Sequence, residues 1–297
     1  MADTPEQCVA RLVRRDAPRT EADVQADVRQ FLLTGDFSLA EDQVVALEAQ
    51  VGNRRRIDVE VGATVIEVKK DLRVGNVLAE AVKQLEGYVI ERQQTRGGRY
   101  VGVLTDGTEW HAYQLVDGHL QPSSAITLAA VKPDTPAITC WLEGVIATAR
   151  DIKPTPETIE QRLGANSSAH QLDRAALGAL YAKHRDDPAV RTKRALWARL
   201  LATALGTQFT DDDNLFIEHT LLVNSAEIIA HAVLGLPVTN VPPTALLTGL
   251  RFETAGILNV VEADFFDWVV AVPGDAGRSF IETLARPCFR GAFHSVI

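Results

Sequence analysis

Residues 54–71, RRRIDVEVGATVIEVKKD, constrain this chain more than any other stretch, because they alternate with a period of two on both sides of one glycine. Ile57, Val59 and Val61 alternate with Asp58 and Glu60; beyond Gly62, Thr64, Ile66 and Val68 alternate with Val65, Glu67 and Lys69. Successive side chains of a strand point to opposite faces. The pattern is therefore that of a hairpin turning at Gly62, with Glu67 and Lys69 on one face and Asp58 brought beside them. Two carboxylates and an ammonium on otherwise apolar strands suit Mg²⁺, which takes one or two carboxylates and leaves room for a substrate phosphate. The lysine, pointing to the accessible side, can steady a hydroxide or a developing transition-state charge. The same charges would also suit a solvated hairpin face carrying a cross-strand ion pair.

The flanks extend the pattern. Thr20-Glu21-Ala22-Asp23 opens a helix in the manner of a capping box, and Val24, Val28, Phe31 and Leu32 give it an apolar stripe ending near Thr34-Gly35. Residues 44–51 read as a strand. Residues 76–94 read as an amphipathic helix with Leu78, Val82, Leu85 and Val89 on its apolar side, broken at Gly97-Gly98. Residues 100–107 form an almost continuous apolar run, as in a strand buried on both faces, and 109–116 alternate like a partner strand. After Lys132 the strand signals fade. Helices are predicted over 137–150, 157–163, 168–185, 190–205, 213–234, 244–251 and 261–271, with prolines marking the connections. The expectation is an α/β domain over residues 1–130 followed by an all-α domain over 131–297. The last residues stop inside an apolar pattern, as in the N-terminal piece of something longer.

Asp58, eight intervening residues and then Glu67-Val68-Lys69 resemble the catalytic signature of the PD-(D/E)XK nucleases, with Ile57 where the family name has proline. The resemblance implies a restriction-endonuclease-like α-β-β-β-α-β core and Mg²⁺-dependent hydrolysis of DNA phosphodiesters, with Mn²⁺ as a substitute. It gives Asp58, Glu67 and the Val68 carbonyl to the metal, and Lys69 to the attacking water. Gln84-Leu85-Glu86-Gly87-Tyr88 resembles the Q-x-x-x-Y element of the recombination-exonuclease branch, which implies that Gln84 positions the substrate or the lysine; a polar helix flank is the plainer reading. Several nuclease families carry an acidic residue where Glu21 stands. Negative charge at a helix N-terminus accounts for Glu21 without chemistry, and that reading is preferred. Glu60 is a reserve ligand on the side of Asp58. Residues 216–222 and the following NSAEIIAHAVLG resemble the helical connector of fused restriction–modification enzymes. That implies a methyltransferase and a target-recognition domain or subunit beyond this chain; the methylase signature N-P-P-Y/F is absent from it.

Charge bears on how such a nuclease would meet DNA. The formal net charge is −9 and neither half is basic, so tight standalone binding is not expected and other domains or subunits would deliver the substrate. Basic residues gather only locally, at Arg54–Arg56, at Lys69, Lys70 and Arg73, and at Arg92, Arg96 and Arg99. The three cysteines, Cys8, Cys140 and Cys288, lack metal-ligand spacing and fit a reducing compartment. No secretory leader and no run of eighteen apolar residues occurs, so a cytoplasmic protein away from membranes is expected. No phosphate-binding glycine loop appears, and His111, His219 and His231 read as structural. Two other functions remain open: a catalytically silent nuclease fold used for DNA binding or assembly, and a protein–protein module whose helical half is the working part.

Overall fold

The computed structural model describes residues 3–16, 18–35, 37, 39, 43–51, 55–147, 155–238, 240–258, 261 and 265–285. Arg54, Cys288 and the apolar stretch at 286–297 lie outside the described residues. The chain divides into two compact units, Met1–Arg150 with Ile159–Leu172, and Asp151–Thr158 with Asp173–Ile297.

The first unit is built on a six-stranded mixed sheet whose strands lie side by side in chain order: β1 (Val45–Val51), β2 (Arg55–Val61), β3 (Thr64–Val68), β4 (Val101–Thr105), β5 (Glu109–Val116) and β6 (His119–Thr127). Every neighbouring pair is antiparallel except β3 and β4, which run parallel. A parallel pair needs a crossover, and α3 (Val77–Arg96) supplies it. Two residues, Gly62 and Ala63, close the β2–β3 hairpin, and Gly62 takes the positive φ of 55° that the tight turn requires. Gly102 on β4 lets α3 lie close: a Cβ there would stand 3.0 Å from Leu85 and 3.2 Å from Val89.

Each face of the sheet has its own core. On one side, α1 (Pro5–Leu12), α2 (Glu21–Thr34) and α4 (Thr135–Ile146) bury Leu12, Val28, Phe31, Ile138 and Leu142 with Val59, Val61, Ile66 and Val68. On the other, Leu85, Tyr88 and Val89 of α3 pack with Val65, Leu104 and Tyr113. Ile57 belongs to this second core although Val59 and Val61 belong to the first, so the expected alternation of β2 breaks at Asp58.

Two elements of this unit were not anticipated. α1 is short, and its signal, Thr4 and Gln7 in a capping box around Pro5, precedes only two turns of helix. β6 follows the Asp117-Gly118 turn, where both residues have positive φ, a strong hairpin signal. Its mixed burial and Pro122 suit an edge strand and dilute the strand pattern. Past residue 130, the expected domain limit, α4 still packs into the first core through Ile138, Trp141, Leu142, Val145 and Ile146, and Trp141 donates from Nε1 to Ser124 at 2.9 Å. An apolar helix goes where its stripe is buried, and the proline before it does not mark the boundary.

The second unit contains only helices among its described residues, chiefly α7 (Pro188–Leu205), α8 (Asp213–Val233) and α12 (Ala276–Ala285), with α5 (Pro156–Leu163) and α6 (Ser168–His184) straddling the division of the chain. Its core is aromatic: the rings of Tyr181, Phe216 and Trp268 meet at 5.6–6.1 Å, and Trp197 lies 5.1 Å from Phe216. The helix expected over 261–271 is confined, in the described residues, to α11 (Trp268–Ala271), and α12 was not expected at all. The short helices α9 (Pro243–Leu246) and α10 (Leu250–Thr254) take the place of the single helix expected over 244–251. No described helix is long and apolar enough to cross a membrane.

Candidate functional site

The β2–β3 ladder pairs Val61 with Thr64, Glu60 with Val65 and Val59 with Ile66, which sets Asp58 opposite Glu67 just beyond the last paired residues. Here the strands separate and side chains take over the hydrogen bonding. Asp58 Oδ2 accepts the Val68 amide at 2.8 Å, and the Asp58 carbonyl accepts Gln25 Nε2 of α2 at 3.0 Å. Lys69 donates its amide to the Thr105 carbonyl of β4 at 2.8 Å, extending the parallel pairing by one bond. The segment after Lys69 is tied down by Asp106, whose buried carboxylate accepts from the amides of Leu72, Thr108 and Glu109 and pairs with Arg15 at 2.9 Å. The end of β3 is thus fixed from two neighbouring strands and one helix.

On this frame Lys69 Nζ stands 2.5 Å from Glu67 Oε1 and 3.6 Å from Glu21 Oε1. Glu67 is only 1% exposed, and its Oε2 has no hydrogen-bond partner. Burial, then the adjacent Asp58 charge, push the Glu67 carboxyl up to about 7, against the opposing pull of Lys69. Burial works against the charge on Lys69, but the Glu67 contact and the fields of Glu67, Glu21 and Asp58 hold its pKa above the ordinary lysine value. Lys69 is thus held in its charged form, donating to Glu67. Expected on the open side, it is instead largely enclosed, with 16% of its side chain exposed between two carboxylates.

Asp58, Glu67 and Lys69 thus come together. Glu21, attributed above to the charge preference of a helix N-terminus, joins them at the lysine. Gln25 was missed; it lies one turn after Glu21 on the same side of α2, which is the spacing that could have found it. Glu60 is not available as a ligand. It is buried and closed by Arg92 at 2.7 Å and Arg96 at 3.4 Å, both from α3. Gln84 of α3 donates to the Tyr88 hydroxyl at 2.9 Å, and among the described residues no hydrogen bond joins it to the other three. Tyr88 is buried against the sheet while Gln84 is exposed.

Two hard carboxylate oxygens, one of them buried and unpartnered, fit a Mg²⁺ or Mn²⁺ ion that fills the rest of its shell with water, substrate oxygen and a backbone carbonyl such as that of Val68. A larger protein cage is not present: among the described residues no group of three or more His, Cys, Asp or Glu is disposed to hold a metal ion. No protein-family model, curated protein or solved structure matches this chain.

Proposed function

We propose that this protein is a Mg²⁺-dependent DNA endonuclease of the PD-(D/E)XK type, the cleavage module of a restriction–modification or phage-defence system. The observation that carries the reading is Glu67: a buried carboxylate with one oxygen on Lys69, the other unpartnered, and Asp58 across the hairpin. A buried carboxylate oxygen without a hydrogen bond is costly unless a charge offsets it; Glu60 Oε1 also lacks a hydrogen bond but has the Arg96 guanidinium at 3.4 Å, whereas Glu67 faces the Asp58 charge. The succession α2-β1-β2-β3-α3-β4, with a parallel β3–β4 pair, agrees with the core that the motif implies.

Asp58 and Glu67 would hold the ion, with the Val68 carbonyl as a further oxygen, and the ion would polarise the scissile phosphate and lower the pKa of its bound water. Lys69, kept protonated by its carboxylate neighbours, positions the attacking water and offsets charge as the phosphorus becomes five-coordinate. Glu21 restrains Lys69 from the α2 side, and Gln25 fixes the backbone that carries Asp58. Gln84 would meet the substrate only after leaving Tyr88. With a net charge of −9, productive DNA contact would depend on a partner, in this reading a methyltransferase and target-recognition domain or subunit.

Two observations favour a catalytically silent fold instead: Lys69 already closes on Glu67, and two carboxylates are fewer than a stable protein cage. Incubation of the full-length protein and its natural partners with plasmid DNA in Mg²⁺, Mn²⁺ or EDTA separates the readings. Nicking or linearisation that needs the metal and disappears in Asp58→Asn supports the nuclease. A gel shift without cleavage under every metal condition would leave the silent module.

A further inference from the structure

We propose a second metal site, for Zn²⁺ or a similar transition-metal cation, on the inner face of α8 in the helical unit. It is independent of the nuclease reading. Asn224, Glu227 and His231 follow one another at i, i+3 and i+7, which places them on one side of the helix. That side is interior: Asn224 and His231 are 0% exposed and Glu227 is 7% exposed. Yet Asn224 Oδ1 and Nδ2, Glu227 Oε2 and His231 Nε2 all lack a hydrogen-bond partner. Thr220, one turn earlier on the same stripe, shows what ordinary satisfaction looks like, since it accepts from Trp268 Nε1 at 3.1 Å and donates to the Phe216 carbonyl at 2.8 Å.

The chemistry of the three groups points to a cation. His231 Nδ1 lies 2.8 Å from the Glu227 carbonyl. Carbonyl oxygen only accepts, so Nδ1 carries the proton and Nε2 presents a lone pair; this is the tautomer in which histidine binds metals, with its other nitrogen held by a backbone carbonyl. Glu227 precedes His231 by four residues, a spacing at which a helix can aim a carboxylate and an imidazole at one ion, and Asn224 can add an amide oxygen. A mixed nitrogen and oxygen set favours Zn²⁺, Co²⁺ or Ni²⁺ over Mg²⁺. Two charges act nearby in opposite senses. Asp267, itself paired with Lys193, adds negative field at Glu227, and Arg251, whose guanidinium donates to the Pro237 carbonyl at 2.7 Å, adds positive field at His231. His231, read from the sequence as structural, has Glu227 and Asn224 beside it on this face of α8.

Co²⁺ titration of the chelator-treated full chain, followed by visible ligand-field absorption and by the melting temperature, tests the assignment. The expected result is an absorption band that saturates and is displaced by Zn²⁺, with Zn²⁺ but not Mg²⁺ raising the melting temperature. The band should persist in the Asp58→Asn/Glu67→Gln double variant, which removes the sheet carboxylates, and vanish in His231→Gln. Asn224→Asp, which adds a charged ligand at the same place, should strengthen Co²⁺ binding even if His231→Gln folds poorly. No band in the wild type, as expected if ordered water satisfies these atoms, would overturn the proposal. So would a band lost only in the sheet variant, or binding unchanged by Asn224→Asp.

Discussion

Glu60 on β2 and Glu67 on β3 both lie buried in the first unit, a few residues apart along one hairpin, and they are treated in opposite ways. Glu60 is enclosed by Arg92 and Arg96 of α3, cations brought in from a helix that packs across it. Each keeps one oxygen without a hydrogen bond, but Glu67 receives a single lysine, from the residue just past its strand, and faces a second carboxylate. Burial is common to both; compensation is not. A carboxylate neutralised from a neighbouring element holds a fold together, whereas one left short of positive charge is prepared to take it from elsewhere. What closes Glu60 could not be read from the hairpin alone, since Arg92 lies 32 residues further on, in α3.

The largest effect expected from this contrast is at the closed end. Arg92→Ala should destabilise the protein by about 3–5 kcal/mol, because it strands a buried carboxylate, with Arg96 keeping the cost toward the lower figure. Urea denaturation of the full chain measures it. A loss below about 0.5 kcal/mol, the ordinary cost of a surface change, would show that Glu60 is not held by this pair.

At the open end the expected signature is in pH. The folded Glu67 titrates near 7, above the ordinary value of 4.5, so the folded state binds its proton more tightly than the unfolded state does. Its contribution to stability is therefore complete below pH 4.5 and is lost as pH rises through 7. Metal-free protein should lose on the order of 1–3 kcal/mol from this group between those limits, and Glu67→Gln should abolish that part of the slope. Added Mg²⁺ should reverse the trend, raising the melting temperature more at pH 8 than at pH 6, about a unit on either side of the carboxyl's titration. A wild-type profile indistinguishable from that of Glu67→Gln would break the comparison.

A smaller effect sharpens it. Thr20 caps α2 by accepting the Asp23 amide, while Asp23 accepts in return from the Thr20 amide. Thr20→Ala should cost about 1 kcal/mol. Because Glu21 and Gln25 stand on that first turn and a half, hydrogen exchange should quicken at the start of α2 while the α3 side of Glu60 is unaffected. Equal protection at both places would mean that α2 does not anchor the open end.

The parts of this molecule legible in the sequence were those carried by local periodicity. The β2–β3 hairpin, α3 and the β4–β5 pair follow from alternation, apolar stripes and a few glycines. What escaped was set by partners distant in sequence. α4 joins the first core because its stripe fits there, not because of any boundary signal, and β6 is an edge strand whose pattern is weak by nature. The site divides in the same way. Asp58, Glu67 and Lys69 could be placed together by counting residues. The enclosure of Lys69, the approach of Glu21 and the tie from Gln25 depend on how α2 crosses the sheet, which no spacing within the hairpin encodes.

The most direct test of the open end as a catalytic site is a single substitution that removes charge and keeps shape. Lys69→Met retains the aliphatic stem that lies among these groups but not the ammonium; Lys183→Ala, on the exposed surface of the helical unit, is the control. Mg²⁺-dependent DNA cleavage by the full-length protein with its natural partners should fall by about 100-fold or more in Lys69→Met, the scale of losing one preorganised charge at a transition state, while the melting temperature drops because Glu67 loses its cation but the protein stays folded, by circular dichroism, at the assay temperature. Lys183→Ala should cleave normally. Undiminished cleavage by a folded Lys69→Met protein would contradict the assignment of this hairpin to catalysis.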